Sequence, residues 1–314
     1  MRKNLLIGAI TNYTWDIIAP FFNSFKAAGF ENCDCVMFVG NMSKRTINKM
    51  QSLGIDVRAI PDELLPGSII NIRWKIYYDF LKDNQDKYNM VLTADVRDVF
   101  FQRDLFSLCD NNKPFLGIAI EDGNLDETLN KKWIIDAYGQ QVHDAIKDNR
   151  IICVGTVWGT ADEFMEYSRV MADILNSEWA NRPNIIEQGI GNYIIYYDKM
   201  FSDVLAPSTN QEGYVMTIGL TKRTDIKQDS EGNILNGKGE IAAVVHQYDR
   251  KPDIVEQVYA KHGQGTLFLF RLGMRHKDKL LGRTTAFLSS SLYWNGLAST
   301  LNGVIKRIKH RLHK

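Results

Sequence analysis

Short apolar runs and amphipathic segments alternate along the first third of the chain. The apolar runs have the length of buried strands, at residues 4–10, 35–39, 55–60 and 90–94. The amphipathic segments repeat apolar residues at three- and four-residue steps, which predicts helices at residues 16–28, 43–53 and 71–81. This alternation is typical of an α/β domain with a mostly parallel sheet flanked by helices.

The later part of the chain contains the same two kinds of segment in a less regular order. Further strands are predicted at residues 115–120, 151–158 and 242–246, and further helices at residues 160–175 and 187–196. Residues 229–239 contain three glycines and predict a loop or hairpin. No linker-like stretch precedes residue 265, so we expect one domain over residues 1–265 and a tail over residues 266–314.

Two carboxylates directly follow the apolar strand predicted at residues 90–94. Asp95 and Asp98 each need a cation, because an unpaired carboxylate is costly to bury. Arg97 can pair with one of them, which leaves the other for a divalent metal. His246 ends the last predicted strand and offers a third ligand. The alternative is a structural Asp-Arg-Asp salt bridge and a histidine bonded to the backbone.

Other polar residues lie where this kind of sheet binds its ligands, beyond the carboxyl ends of the strands. The residues that follow the first strand are Thr11, Asn12 and Tyr13. Arg73 lies on the helix before the acidic strand, where it could reach a phosphate or equally lie on a solvated face. Glu187 and Gln188 begin a predicted helix and could face the ligand, although the helix dipole alone explains a carboxylate in the first turn.

Charge is distributed unevenly along the chain. From residue 261 onward eleven Lys and Arg residues stand against one Asp, whereas the whole chain has a net charge of +1. Residues 285–312 also repeat apolar residues at helical steps, which predicts a basic amphipathic helix that contacts an anionic membrane surface. The alternative is a helix packed on the domain with a solvated basic end.

Several segments resemble, in the same order, a group of bacterial glycosyltransferases with the GT-A fold that build cell-surface polysaccharides of the capsule or O-antigen type. They are NIRWKIYYDFL at 71–81, VLTADVRDVFFQRDLF at 91–106, ICVGTVWGTADEFMEY at 152–167, EQGIGNYI at 187–194 and VVHQYDRKP at 244–252. The resemblance implies a Rossmann-like nucleotide-diphospho-sugar transferase fold, a UDP- or GDP-sugar donor, and Mn²⁺ or Mg²⁺ as the metal.

The resemblance also implies roles for individual residues. Asp95 would contact metal or ribose, Asp98 would bind metal, and His246 would complete the ligand set. The segment Thr11, Asn12 and Tyr13 would hold the base and ribose. Glu187 and Gln188 correspond to an aspartate–glutamine pair near the reacting sugar carbon of retaining enzymes, with Glu in place of Asp, so retention is favoured.

The sequence therefore predicts a hexosyltransferase-like, metal-dependent enzyme that transfers a sugar to a glycan or lipid-linked acceptor. We expect it to be cytoplasmic and peripheral on the cytoplasmic face of the inner membrane, since no apolar stretch approaches the ~20 residues that span a bilayer. Alternatives are a nucleotidyltransferase, disfavoured because no Gly-rich basic loop follows the first strand, and a non-catalytic nucleotide- or glycan-binding module. Nucleic acid is not an expected partner, because the excess of basic residues is confined to the tail.

Overall fold

The structure, a computed structural model, describes residues 2–64, 67–175 and 187–263. The strands are β1 (Lys3–Ile10), β2 (Cys33–Val39), β3 (Asp56–Ala59), β4 (Tyr88–Ala94), β5 (Val99–Phe101), β6 (Leu116–Asn124), β7 (Arg150–Thr160), β8 (Leu205–Thr209), β9 (Val215–Thr217), β10 (Lys227–Gln228), β11 (Ile234–Leu235) and β12 (Val244–His246). The helices are α1 (Trp15–Ala27), α2 (Lys44–Ser52), α3 (Ile69–Lys82), α4 (Thr128–Tyr138), α5 (Gln140–Ile146), α6 (Ala161–Ile174), α7 (Glu187–Tyr196) and α8 (Pro252–His262).

A central sheet of seven strands has the order β3-β2-β1-β4-β7-β6-β8. Strands β3, β2, β1 and β4 run parallel to one another, and β6 runs parallel to β8. Strand β7 is antiparallel to both of its neighbours, β4 and β6. The predicted α/β domain with a mostly parallel sheet is therefore confirmed, and β7 is its antiparallel strand.

Helices cover both faces of this sheet, which explains why its strands are continuously apolar rather than alternating. Successive side chains of a strand point to opposite faces. Leu6 and Ile10 of β1 belong to the core layer that contains α1. Leu5 and Ile7 belong to the opposite layer, which contains α3 and α6. Each layer is closed by large buried rings, such as Phe21 on the α1 side and Trp74, Phe164 and Tyr167 on the other.

A second sheet of three short strands, in the order β5-β12-β9, lies next to the acidic end of β4. Strand β12 pairs antiparallel with β5, so that His246 is opposite Val99. Val99 directly follows Asp98, and the Gln247 amide donates to the Asp98 carbonyl oxygen at 2.8 Å. This pairing brings the end of the domain back to the acidic segment.

Several elements were not predicted from the sequence. They are α4, α5 and α8 among the helices and β5, β8, β9 and β10 among the strands. Helix α8 begins at Pro252, and proline is favoured at the first position of a helix, so the chain did carry a signal there. The region predicted as a loop or hairpin at residues 229–239 contains the turn between β10 and β11 and all of β11.

Two sequence predictions concern residues outside the described ranges. The basic tail at 266–314 and its predicted amphipathic helix lie beyond residue 263, the last that the structure describes. Among the helices of the described residues, none has the length and apolarity needed to cross a bilayer.

Candidate metal centre and cleft

A cleft of about 340 Å³ opens beyond the carboxyl ends of β1 and β4. Its wall includes most of the side chains singled out from the sequence, namely Thr11, Tyr13, Arg73, Asp95, Asp98, Glu187, Gln188 and His246. The position agrees with the rule that open α/β sheets bind ligands at this edge. The structure therefore brings these side chains to one cleft, and Asn12 is the residue from the predicted set that does not line it.

Asp95, Asp98 and His246 form a cluster of ligand-type groups at the base of the cleft. One ligand atom from each residue lies within 4.8 Å of the other two. The His246 Nε2 atom is 3.6 Å from Asp95 Oδ2 and 3.7 Å from Asp98 Oδ1. The imidazole therefore directs one ring nitrogen at both carboxylates, as a shared metal ion would require.

Gly155 on β7 makes room for this cluster. Its carbonyl oxygen accepts a hydrogen bond from the Asp95 amide at 2.8 Å. A Cβ atom at this position would lie 2.5 Å from His246 Cε1 and 2.6 Å from Asp95 Oδ2. Small residues in a strand can allow a backbone to approach a ligand closely. In the structure the glycine instead allows two ligand side chains to approach each other.

Arg73 links the cluster to the rest of the cleft wall. Its guanidinium donates to Asp95 Oδ1 at 2.6 Å, to Glu187 Oε2 and Oε1 at 3.0 and 2.8 Å, and to the Val154 carbonyl oxygen at 3.2 Å. The suggestion of a solvated helix face is wrong, because the Arg73 side chain is only 6% exposed. Two carboxylates already balance its charge, which makes Arg73 a positioning group for Asp95 more than a phosphate ligand.

The ionisation of the Asp95 carboxyl depends on Arg73. Burial alone would raise its pKa, but Arg73, together with His246, holds the pKa of Asp95 well below its usual range. Asp95 is therefore ionised at neutral pH and available to a cation.

Glu187 begins α7, yet its carboxylate is directed into the protein. Oε2 also accepts from Trp74 Nε1 at 2.8 Å, so both oxygens have partners on α3. Burial raises the pKa of Glu187 to about 7, although the bonds from Arg73 and Trp74 act in the opposite direction. With both oxygens engaged, Glu187 is placed to hold Arg73 rather than to touch a sugar.

This pKa predicts a pH dependence of stability. Free glutamate titrates near 4.3, so between that pH and about 7 the folded protein holds a proton that the unfolded chain has lost. Stability contributed by the protonated carboxyl is complete below about 4.3 and is lost as the pH rises through about 7. We expect the unfolding free energy of the wild type, minus that of Glu187→Gln, to fall between pH 5 and pH 8 in urea titrations. A difference that rises with pH would contradict this assignment.

Gln188 lies on the cleft wall beside an aromatic ring that sequence reasoning missed. Its Nε2 donates to Asn130 Oδ1 on α4 at 2.8 Å. Trp133, one turn further along α4, also lines the cleft. The two helices pack closely because Gly189 has no side chain, since a Cβ there would lie 3.1 Å from Trp133 Cβ. The contacts of Gln188 and Trp133 thus depend on α4, a helix that was not predicted.

Of the three residues predicted to bind a ligand at the end of β1, two line the cleft and one does not. Thr11 and Tyr13 line the cleft. Asn12 has a left-handed backbone (φ 62°), and its Oδ1 accepts from Asn41 Nδ2 at 2.8 Å. The backbone N–H of Asn41 in turn donates to Thr11 Oγ1 at 3.1 Å. Asn12 therefore holds the strand end in place and is not among the residues that line the cleft.

Cations also line the cleft beside the carboxylates. Arg97 pairs with Asp98 at 3.5 Å and with Asp249 at 3.2 Å, so the prediction that it pairs with one of the two aspartates of its own segment is correct for Asp98. Arg250, which follows His246 by four residues, is exposed and lines the same cleft. From the sequence, only His246 was singled out in this segment, and Arg250 was not recognised as a cleft residue.

The charges of the cleft fit a divalent cation. Four carboxylates lie in or beside the cleft, those of Asp95, Asp98, Asp249 and Glu187, and the arginines paired with them are Arg73 and Arg97. Burial and the nearby Asp98 charge raise the pKa of Asp249, which is the expected response of crowded carboxylates. A bound divalent ion would relieve this repulsion, and two carboxylates with one imidazole are a suitable donor set for it.

No protein-family model matches the chain, and no curated protein matches it. Among solved structures, it is similar to the galactosyltransferase LgtC in complex with donor and acceptor sugar analogues, at 12% identity over 85% of this chain and 100% of that chain (TM-score 0.47). The apo form of the glycosyltransferase GlyE from Streptococcus pneumoniae TIGR4 is 13% identical over 79% of this chain and 55% of that chain (TM-score 0.47). Glucosyl-3-phosphoglycerate synthase from Mycobacterium tuberculosis, in complex with Mn²⁺, uridine diphosphate and glucosyl-3-phosphoglycerate, is 12% identical over 66% of this chain and 70% of that chain (TM-score 0.41).

Proposed function

We propose that the protein is a metal-dependent glycosyltransferase of the GT-A type, which transfers a sugar from a nucleotide-sugar donor. The observation that carries the proposal is the convergence of Asp95, Asp98 and His246 at the carboxyl edge of the sheet, within one cleft. Two carboxylates and an imidazole from separate strands suit a cation that must also bind a diphosphate.

The donor set favours Mn²⁺ over Mg²⁺. Carboxylates accept both ions, whereas an imidazole ligand is more typical of transition metals. When bound, the ion would neutralise the negative charge that grows on the departing diphosphate. His246, Asp98 and Asp95 would hold it, and Arg73 would keep Asp95 in place.

The remaining cleft residues divide between the two substrates. Thr11 and Tyr13 at the end of β1 are proposed to contact the nucleoside of a UDP- or GDP-sugar. Arg250 is exposed in the same cleft as the metal ligands and is proposed to add positive charge beside the diphosphate. Gln188 is proposed to lie near the reacting carbon, and the Trp133 ring beside it can stack on a sugar.

In the proposed reaction, the bond between the anomeric carbon and the diphosphate breaks, an acceptor hydroxyl bonds to the same face of that carbon, and the hydroxyl proton passes to the departing diphosphate. We propose that the configuration of the anomeric carbon is retained, with Gln188 as the polar group nearest the reacting carbon. No direct catalytic role is proposed for Glu187, because Arg73 and Trp74 occupy both of its oxygens.

We also propose where the enzyme acts and on which class of acceptor. A polysaccharide or lipid-linked glycan acceptor at the cytoplasmic face of the inner membrane would suit the basic tail at residues 266–314. That tail and the domain boundary at 265 rest on sequence alone, since the described residues end at 263.

The proposal is tested by titrating the wild-type protein with UDP and GDP, with Mn²⁺ and with EDTA, in a calorimeter. We expect one nucleotide to bind only with Mn²⁺, and Asp98→Asn to weaken its binding at least about tenfold, because loss of even an outer-shell partner costs 10–100-fold. Asp203→Asn, an exposed aspartate outside the cleft, is the matched control.

A second measurement separates the alternatives. The proposed enzyme should slowly release nucleoside diphosphate from its own donor in a screen of UDP- and GDP-sugars. Formation of a nucleotide sugar from a nucleoside triphosphate and a sugar phosphate would indicate a nucleotidyltransferase instead. A nucleotide affinity that is unchanged by EDTA and by Asp98→Asn would indicate a non-catalytic module.

A further inference from the structure

The imidazole of His246 has a second partner on the side away from the metal cluster. Its Nδ1 atom lies 3.3 Å from the Sγ atom of Cys153 on β7. Both side chains are buried, with 1% exposure for each residue. The two ring nitrogens therefore have different surroundings, carboxylates at Nε2 and a thiol at Nδ1.

This difference decides which nitrogen must carry the proton. A metal held between Asp95, Asp98 and His246 needs the lone pair of Nε2, so the ring proton belongs on Nδ1. A proton on Nδ1 needs an acceptor, because a buried N–H without one costs free energy. The Cys153 sulfur is in place to accept it.

Cys153 has a carboxyl neighbour on the next strand. Burial raises the pKa of the Glu121 carboxyl on β6, and the Cys153 thiol beside it acts in the opposite direction. Glu121 is 2% exposed, and within the described residues its Oε1 atom has no hydrogen-bond partner. A buried carboxyl that is only partly satisfied is expensive, so its presence here calls for a reason beyond packing.

We propose that Glu121 and Cys153 are positioning residues that fix the ring orientation and tautomer of His246. The chain runs from Glu121 to the Cys153 thiol, then to Nδ1, and leaves Nε2 as the ligand atom. The inference rests on the proposed function, since it assigns a task to residues that do not touch the metal. Groups that orient a metal-bound histidine in this way typically change metal affinity 10–100-fold.

The variants that test the proposal remove one member of the chain at a time. Cys153→Ala deletes the acceptor, and Cys153→Ser replaces sulfur by a smaller group that can still accept and donate. Glu121→Gln retains the shape of the carboxyl and removes its charge. Cys35→Ala is the matched control, because Cys35 is a buried thiol of the same sheet that does not line the cleft.

The first readout is the Mn²⁺ affinity of the nucleotide-free protein by calorimetry, alongside thermal unfolding. We expect Cys153→Ala to weaken Mn²⁺ binding 10–100-fold, Glu121→Gln to weaken it by a smaller factor, and Cys153→Ser to restore part of the loss. Cys35→Ala should leave the affinity unchanged even if it unfolds at a lower temperature. Equal affinity in the wild type and in all Cys153 and Glu121 variants would overturn the inference.

The second readout does not need the metal. Nuclear Overhauser contacts of the ring Hδ2 and Hε1 protons report which edge of the imidazole faces Cys153, and comparison with His246→Asn identifies the signals of this ring. We expect one ring orientation, with Nδ1 towards Cys153, in the metal-free wild type and two orientations in Cys153→Ala. A wild-type ring with Nδ1 turned away from Cys153 would overturn the inference. Absence of Mn²⁺ binding by a wild type with the expected ring orientation would count against the proposed function alone.

Discussion

Replacing Gly155 by alanine is expected to reduce Mn²⁺ affinity more than about 100-fold while the protein remains folded. The added Cβ would lie 2.5 Å from His246 Cε1 and 2.6 Å from Asp95 Oδ2, distances that real Cβ atoms do not adopt. Both side chains would have to move, and both are proposed ligands. Disturbing two ligands should cost more than the 10–100-fold typical of losing one outer-shell partner.

The same strand provides the control. Gly159 on β7 is also tightly enclosed, because a Cβ there would lie 2.5 Å from the Phe115 carbonyl oxygen. Gly159 does not line the cleft. Gly159→Ala should therefore lower the unfolding free energy and leave the Mn²⁺ affinity of the folded protein unchanged. If both variants changed the affinity equally, the effect of Gly155→Ala would be a general distortion of β7.

Replacing Arg73 by methionine is expected to lower the unfolding free energy by about 3–5 kcal/mol, the usual cost of removing one partner from a buried ion pair. The loss is large because Glu187, with 7% of its side chain exposed, would be left with Trp74 as its remaining side-chain donor. Asp95 would lose the bond that orients it. Urea unfolding with an unchanged m-value would measure the loss.

Arg169 offers a matched control on another helix. It pairs with Glu166 and Asp173 as Arg73 pairs with Glu187 and Asp95, but its side chain is 40% exposed. Arg169→Met should cost less than about 1 kcal/mol, as exposed ion pairs usually do. A loss for Arg73→Met no larger than this would contradict the proposed network.

The double variant Arg73→Met with Glu187→Gln separates the two parts of the effect. It should recover part of the stability, because the buried Glu187 carboxyl that has lost Arg73 is replaced by an amide that needs no cation. It should not recover Mn²⁺ affinity, because Asp95 still lacks Arg73. Recovery of both would mean that Arg73 acts on the metal site only through global stability.

Much of the central sheet could be predicted from the sequence, and the reason is burial. Strands that are covered by helices on both faces are continuous apolar runs, so β1 and β4 were visible without any partner. Strands β5 and β9 have only three residues each and exist because β12 lies between them. No local pattern of three residues could have revealed them.

The site could be predicted in part, for a related reason. Asp95, Asp98 and His246 were recognisable because each lies at or just beyond the end of an apolar strand. The pairing of Arg73 with Glu187 was not, because it joins α3 to α7 across a long stretch of chain. A glutamate in the first turn of a helix already has a sufficient explanation in the helix dipole, which concealed its actual partners. The left-handed backbone of Asn12 likewise becomes apparent only in three dimensions.

The pairing of β12 with β5 has a consequence for the order in which this protein matures. His246 comes late in the chain and reaches Asp98 only when its strand has joined one formed early. A growing chain that still lacks β12 therefore has the two aspartates but no complete cation site. Contacts between distant segments form late in folding, so the affinity for the ion is a property of the finished domain. Ion binding therefore stabilises only those molecules in which β12 has already paired with β5.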